Sequence, residues 1–231
     1  MNKFSKIILP LIYLVSSISH GKGRVGKGNG LLIEPYIGWQ ESNIVFDLGE
    51  KSYNFSSHQG PSFGTRVGLK FRRISFLIDY RHTNLTKGSG TISTSASNQA
   101  FFESKITHKQ IGINLYIDLK TFNLLQFSTG NVIYVGWIFS DSISFDEDLI
   151  ERSTNQLIDN KGLIIKGTGF KIGTAFDFGF LSINIEGVFS LKYDKAEKNG
   201  IEEINTPKST YDNLWEGMSY VHGSISFPFL F

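Results

Sequence analysis

The chain has no cysteine. That excludes disulfides, thiol catalysis and a lipid-modified cysteine anchor. It has no excess of charge of either sign. Its 23 Lys and Arg stand against 21 Asp and Glu, a formal net charge of +2. Nothing global therefore points to a nucleic-acid partner. It has no long hydrophobic run, because the one apolar stretch, residues 7–15, is too short to cross a bilayer as a helix. It also lacks clustered metal ligands. His20, His58, His82 and His108 are scattered and show no zinc spacing. The acidic run Asp146, Glu147, Asp148 with Glu151 lacks the glycine and spacing of a calcium loop. No metal and no cofactor is expected.

What is present begins with a leader. Lys3 and Lys6 precede the apolar stretch, and Ser16, Ser17 and Ser19 follow it. This tripartite pattern predicts a secretory signal over residues 1–19. Its removal takes two lysines, so the net charge falls from +2 to about zero. Residues 20–30 are basic and rich in glycine. No strand pattern precedes them and no helix pattern follows, so a phosphate-cradling loop is not supported. A flexible mature N-terminus is expected there.

The rest, residues 31–231, is organised by period-two alternation. The clearest segment is 110–118, where Ile111, Ile113, Leu115 and Ile117 alternate with Gln110, Gly112, Asn114, Tyr116 and Asp118. Comparable segments lie at 31–40, 63–71, 74–81, 131–144, 169–176 and 181–191, and an eighth starts near Trp215 and ends at Phe231. Such alternation predicts strands with one oily and one polar face. Each is close to the length a tilted strand needs to cross a membrane. Tight turns are expected at Arg72-Arg73 and Phe178-Gly179. Four long polar connections, 41–59, 82–105, 145–162 and 192–214, fall at the opposite end. Trp39, Tyr80 and Trp137 lie toward that end on the oily face, and Phe71, Phe229 and Phe231 mark the other end. Two aromatic bands of this kind suit the two lipid–water boundaries. A soluble barrel would carry its oily residues inside.

The polar faces hold Glu34, Asp79, Asp118 and Glu186 with Arg66, Lys70, Arg81 and Lys171. A tight turn fixes hairpin register. Pairing Phe71 with Ile74 sets Arg66 opposite Asp79. Pairing Phe176 with Leu181 sets Lys171 opposite Glu186. Lys70 and Asp118 are expected to meet or to bracket Glu34. An eight-stranded barrel has an interior only wide enough for side chains to fill, and charges buried there need partners. A salt-bridged plug is the simpler expectation, and a narrow gated path is the alternative.

The closing segment, with Phe227, Phe229 and Phe231 on its oily face, resembles the terminal strand of Gram-negative outer-membrane barrels. There the last aromatic is read by the insertion machinery. Over residues 31–231 the chain resembles the small eight-stranded family that includes the OmpA transmembrane domain and OmpX. The resemblance implies an all-β, eight-stranded antiparallel up-and-down transmembrane barrel in the outer membrane, with both termini periplasmic. It implies lipid and lipopolysaccharide as surroundings, and a monomer.

Three functions follow as expectations. The leading one is non-enzymatic: a structural or surface-interaction protein that presents four long loops to an external partner. The second is a small porin-like channel through the interior charges. The third is a lipid A-modifying acyl hydrolase, because His222-Gly-Ser224 places a histidine and a hydroxyl two apart on one strand face. Both point inward by parity, away from a lipid substrate. No acid follows them on the strand. An enzyme is not expected.

Overall fold

The computed structural model describes residues 24–25, 28–48, 51–93, 98–101, 105–124, 127–151, 154–155, 157–159, 161–198, 201–203 and 218–231. The expected leader, His20 and Trp215 lie outside them. Eight long strands form a closed antiparallel barrel. They are β1 (Asn29–Leu48), β2 (Lys51–Phe71), β3 (Ile74–Leu85), β4 (Ile106–Leu124), β5 (Phe127–Phe145), β6 (Leu163–Asp177), β7 (Ser182–Lys198) and β8 (Met218–Ser226). Neighbours in sequence are neighbours in space, and β1 closes the ring by pairing with both β2 and β8. Closure removes the open sheet edge. Pro228 has no backbone N–H, so β8 breaks before it. A short continuation, Phe229–Leu230, then pairs with Leu32 and Ile33.

The β2–β3 hairpin has the expected register. Phe71 faces Ile74 across Arg72 and Arg73, and Arg66 lies opposite Asp79. Arg72 takes the left-handed conformation, with φ of 55°. The β6–β7 register differs from the expected one. Phe176 faces Ile183, so Lys171 lies opposite Val188 and Gly173 opposite Glu186. The cause is a four-residue turn. Asp177 Oδ1 accepts the Gly179 N–H at 2.7 Å, and Phe178 N–H donates to the Leu181 carbonyl at 2.7 Å. Gly179 has φ of 91°, which glycine adopts at little steric cost.

The strands run further than a bilayer requires. β1, β2, β4 and β5 have 20, 21, 19 and 19 residues. Twenty residues at about 3.3 Å, tilted by about 40°, rise about 50 Å, roughly twice the ~25 Å apolar band of a membrane barrel. Much of the expected long connections is therefore strand. Residues 41–48 and 51–59 form a ladder, and a further strand, Lys87–Ser93, pairs with β2 above the end of β3.

The barrel has two tiers of opposite polarity. In the tier next to the short turns, the outside is oily: Ile37, Ile78, Ile113, Val135, Ile172 and Ile185 are each at least half exposed. Its inside is polar and charged. In the far tier the inside is oily. Tyr53, Phe55, Leu85, Ile92, Ile106, Ile143, Phe145, Leu149, Leu163 and Ile165 form one buried cluster. The outside there carries Asn54, Asn84, Thr107, Lys109, Ser142 and Ser144. Two bulges help make the switch. On β5 the inward series Val132, Tyr134, Ile138 changes parity after the unpaired Phe139 and continues as Asp141, Ile143, Phe145. On β2 the inward His58, Gly60 and Ser62 give way to Phe55 and Tyr53, across a shift between Ser42 and Ile44 of β1. A bulge adds one residue, and one residue moves every later side chain to the other face. Trp39, Phe63, Tyr80, Trp137 and Phe139 ring the outside at the junction.

Candidate functional site

The chemistry-bearing residues converge on the interior of the oily-outside tier. Inward parity places them there, and small residues make room. Tyr36 lies flat across Gly64 of β2, and Tyr134 across Gly173 of β6. A Cβ on either glycine would stand 2.4 Å or 2.2 Å from the tyrosine Cζ. Glycine at these positions is what lets two tyrosine rings enter a barrel this narrow.

Next to the short turns, Arg24 Nη1 donates to Glu34 Oε2 at 3.0 Å, Nη2 donates to Ser182 Oγ at 2.6 Å, and Nε lies 3.5 Å from Asp177 Oδ2. Arg24 falls in the segment expected to be a flexible terminus, yet it is fully buried, and Val25 is buried beside it. The charged interior supplies the reason: Glu34 and Asp177 need a cation, and Arg24 provides it. Lys70 and Asp118 meet, at 2.9 Å, and do not bracket Glu34.

One step further in, Asp79 is the hub. Its Oδ1 accepts from Tyr36 Oη at 2.8 Å, and its Oδ2 accepts from Asn114 Nδ2 at 3.1 Å and Arg66 Nε at 3.4 Å. Lys171 Nζ also donates to Oδ2. Arg66 reaches back to Glu34 at 2.7 Å, and its guanidinium lies 4.2 Å from the Tyr36 ring centroid. Arg81 donates to Glu186, whose other oxygen accepts from Tyr134 Oη at 2.8 Å. Lys171 is therefore tied chiefly to Asp79 and stands 3.9 Å from Glu186, its expected partner. All eight anticipated charges, Glu34, Arg66, Lys70, Asp79, Arg81, Asp118, Lys171 and Glu186, lie buried in this interior. With Arg24, the buried Lys and Arg among the described residues number five. Asp177 and Asp141 bring the carboxylates to six. The extra carboxylate, Asp141, is held by His108, so the interior is close to neutral.

His222 does not engage Ser224. Its Nε2 lies 2.7 Å from Ser62 Oγ on β2, and its Nδ1 lies 3.4 Å from Glu186 Oε1. Ser224 Oγ makes no hydrogen bond among the described residues. The histidine reaches over β1 to the Ser62 hydroxyl instead of turning to the residue two along its own strand. Ser62, His222 and Glu186 follow the order of a hydrolytic triad, yet all three are at most 3% exposed. Ser62 is paired in the ladder on both sides, with Gly38 and Thr83. Nothing there offers an acyl group an entrance or a free pair of N–H donors.

Above this layer, Gln40 gathers Ser42, Thr83 and His108 around its side-chain amide. Thr83 Oγ1 donates to Gln40 Oε1 at 2.9 Å, and Gln40 Nε2 reaches Ser42 Oγ and His108 Nδ1, each at 2.8 Å. The apolar cluster of the far tier then seals that end. Sequence reasoning missed Arg24, Asp177, His108 and Asp141 as interior partners. Parity marks Asp141 only when the bulge at Phe139 is known.

The acids after β5 are each engaged separately. Asp146 accepts from Thr107 Oγ1, Glu147 from Lys105 Nζ and Glu151 from Thr154 Oγ1, each at 2.6 Å. Asp148 accepts from the Lys161 N–H at 2.8 Å. The hydrogen bond and charge of Glu147 raise the pKa of Lys105. Among the described residues, no three His, Cys, Asp or Glu converge as metal ligands. Phe227 and Phe231 point outward beside β1, and Phe229 is half-buried.

No protein-family model matches the chain, and no curated protein matches it. Among solved structures, the outer membrane protein OprG from Pseudomonas aeruginosa is similar. The TM-score is 0.49 at 10% identity, over 90% of this chain and 99% of that one. The toluene transporter TbuX from Ralstonia pickettii aligns with a TM-score of 0.23 at 12% identity, over 87% of this chain and 64% of that one.

Proposed function

We propose that the protein is a non-conducting, non-enzymatic barrel of a Gram-negative outer membrane. Its short turns and both termini face the periplasm, and its far tier faces the cell exterior. One observation carries the reading: the interior of the membrane tier is filled. A hub of paired charges occupies its centre, and ten apolar side chains close its outer end. Hydrated ions gain nothing from such a route. The lipid-facing surface of oily residues, ended by an aromatic ring, supports the membrane assignment.

The working part is then the projecting tier. It is a water-facing surface made of strand, which suits recognition of an external partner or a structural role. Phe227, Phe229 and Phe231 serve as the insertion signal for the outer-membrane machinery, and the protein acts as a monomer. Planar-bilayer recording of refolded protein, wild type beside Arg66→Ala, tests this. No channel events are expected from either. Discrete openings whose size changes with Arg66→Ala would make transport the function instead.

A further inference from the structure

Just outside the aromatic ring, β4, β5 and β6 present one cross-strand row. Lys109 pairs with Ser142, and Ser142 pairs with Lys166. Adjacent strands lie about 4.8 Å apart, so the two lysine backbones stand about 10 Å apart with a serine between them. Ser140 and Ser144 flank that serine on β5, and Ser140 is exposed. Lys109 is exposed and has no ion-pair partner among the described residues. Lys166 Nζ is shared with Glu197 Oε1 at 2.7 Å and remains 44% exposed.

On the same strands, deeper in the membrane tier, the outer surface is grooved. The groove holds about 450 Å³ and is lined by Leu115, Ile117, Ile133, Val135, Ile172 and Thr174. Gly173 and Thr174 form a low part of its wall, and the Thr174 hydroxyl donates to the Val132 carbonyl at 3.0 Å. From Lys109 to Leu115 is six residues, about 20 Å along the strand and about 15 Å of depth at a tilt near 40°. One leaflet is half of the ~25 Å apolar band, about 12 Å, and the lysines stand just outside it. Cations and groove are thus separated by the length of one lipid tail.

We infer that this face holds one molecule of a phosphorylated glycolipid of lipid A type. Its phosphate sits between Lys109 and Lys166, its sugar hydroxyls meet Ser140, Ser142 and Ser144, and the end of one acyl chain lies in the groove. The three serines favour a sugar headgroup over a plain phospholipid, because each hydroxyl both donates and accepts. The inference rests on the outer-membrane reading, with the far tier outside.

Native mass spectrometry of the refolded protein in detergent tests it. The probes are bis-phosphorylated lipid A, the same lipid A with its phosphates removed, and phosphatidylglycerol. Wild type is expected to retain phosphorylated lipid A preferentially over both others. A lysine near a lipid headgroup contributes about a fivefold effect, so Lys109→Ala is expected to lower retention about fivefold. Lys166→Ala is expected to lower it less, because Glu197 shares that charge. Thr174→Phe, which fills the groove, is expected to weaken phosphorylated and dephosphorylated lipid A alike. Equal retention of the dephosphorylated form, equal retention of phosphatidylglycerol, or an unchanged Lys109→Ala would each overturn the site. The comparison between lipids needs no variant, so a variant that fails to fold does not rescue the idea. Insertion into vesicles separates the two readings. A barrel that inserts yet discriminates no lipid defeats the site alone, whereas failure to insert defeats the membrane assignment.

Discussion

Replacing Asp79 by alanine removes the acceptor on which Tyr36, Arg66, Asn114 and Lys171 converge. Arg66 keeps Glu34 at 2.7 Å, and Tyr36 keeps the Tyr80 carbonyl at 3.2 Å. Lys171 keeps only Glu186, 3.9 Å away. A buried cation is thereby left nearly alone, and breaking one side of a buried pair costs about 3–5 kcal/mol. Equilibrium unfolding by guanidinium from lipid vesicles, followed by tryptophan fluorescence, measures it. The double variant Asp79→Leu with Lys171→Met removes one charge of each sign and is expected to recover most of the loss, because apolar replacement of a buried pair is often neutral. A single-variant cost below about 1 kcal/mol would refute the reasoning, since it would mean water already reaches Lys171. A double variant as unstable as the single would mean that the tyrosine and asparagine contacts, not the ion pair, set the cost.

Two further outcomes follow from the packing. Phe55→Ala or Ile143→Ala opens a cavity in the far tier and is expected to cost about 2–5 kcal/mol. Limited proteolysis and hydrogen exchange should then show loosening confined to the far tier, and exchange that rises equally around Asp79 would show that the tiers are one cooperative unit. Gly173→Ala drives a methyl to 2.2 Å from the Tyr134 ring and is expected to cost about 1–3 kcal/mol by overpacking. The same unfolding assay reads it, and a neutral result would mean that the ring has somewhere else to go.

The lower tier was legible in the sequence because its rule is local. A strand between lipid and a filled lumen must alternate, and 110–118 does so without a break. Arg66 and Asp79 were paired correctly because a two-residue link fixes register from a few residues. Lys171 was mispaired because the Asp177 side chain caps Gly179 and builds a four-residue turn, a side-chain choice that alternation does not record. Arg24 was invisible because its burial depends on Glu34 and Asp177, which are remote in sequence. Ser62, the partner of His222, is invisible to sequence for the same reason, because it lies 160 residues away. The far tier escapes a rule of outward oily alternation because its oily residues point inward.

That inversion has a physical logic. A barrel strand passing from lipid into water meets opposite demands on its outer face, oily below the boundary and polar above it. Continuous alternation can meet both by exchanging residue types at the boundary, as β3 does between the outward Tyr80 and His82 while its inward face runs from Arg81 to Leu85. A one-residue bulge meets them differently, by swapping the faces of an uninterrupted pattern, as Phe139 does on β5. Both devices fall at the same height as the ring of Trp39, Phe63 and Trp137. On the proposed membrane reading, the ring coincides with the level at which the chain itself changes solvent. Deleting Phe139 would remove the extra residue and restore plain alternation on β5, with Ser140 in its outward place and Asp141, Ile143 and Phe145 still inward. Asp141 would keep His108 and the apolar seal would keep Ile143 and Phe145, so the expected loss is one aromatic of the ring.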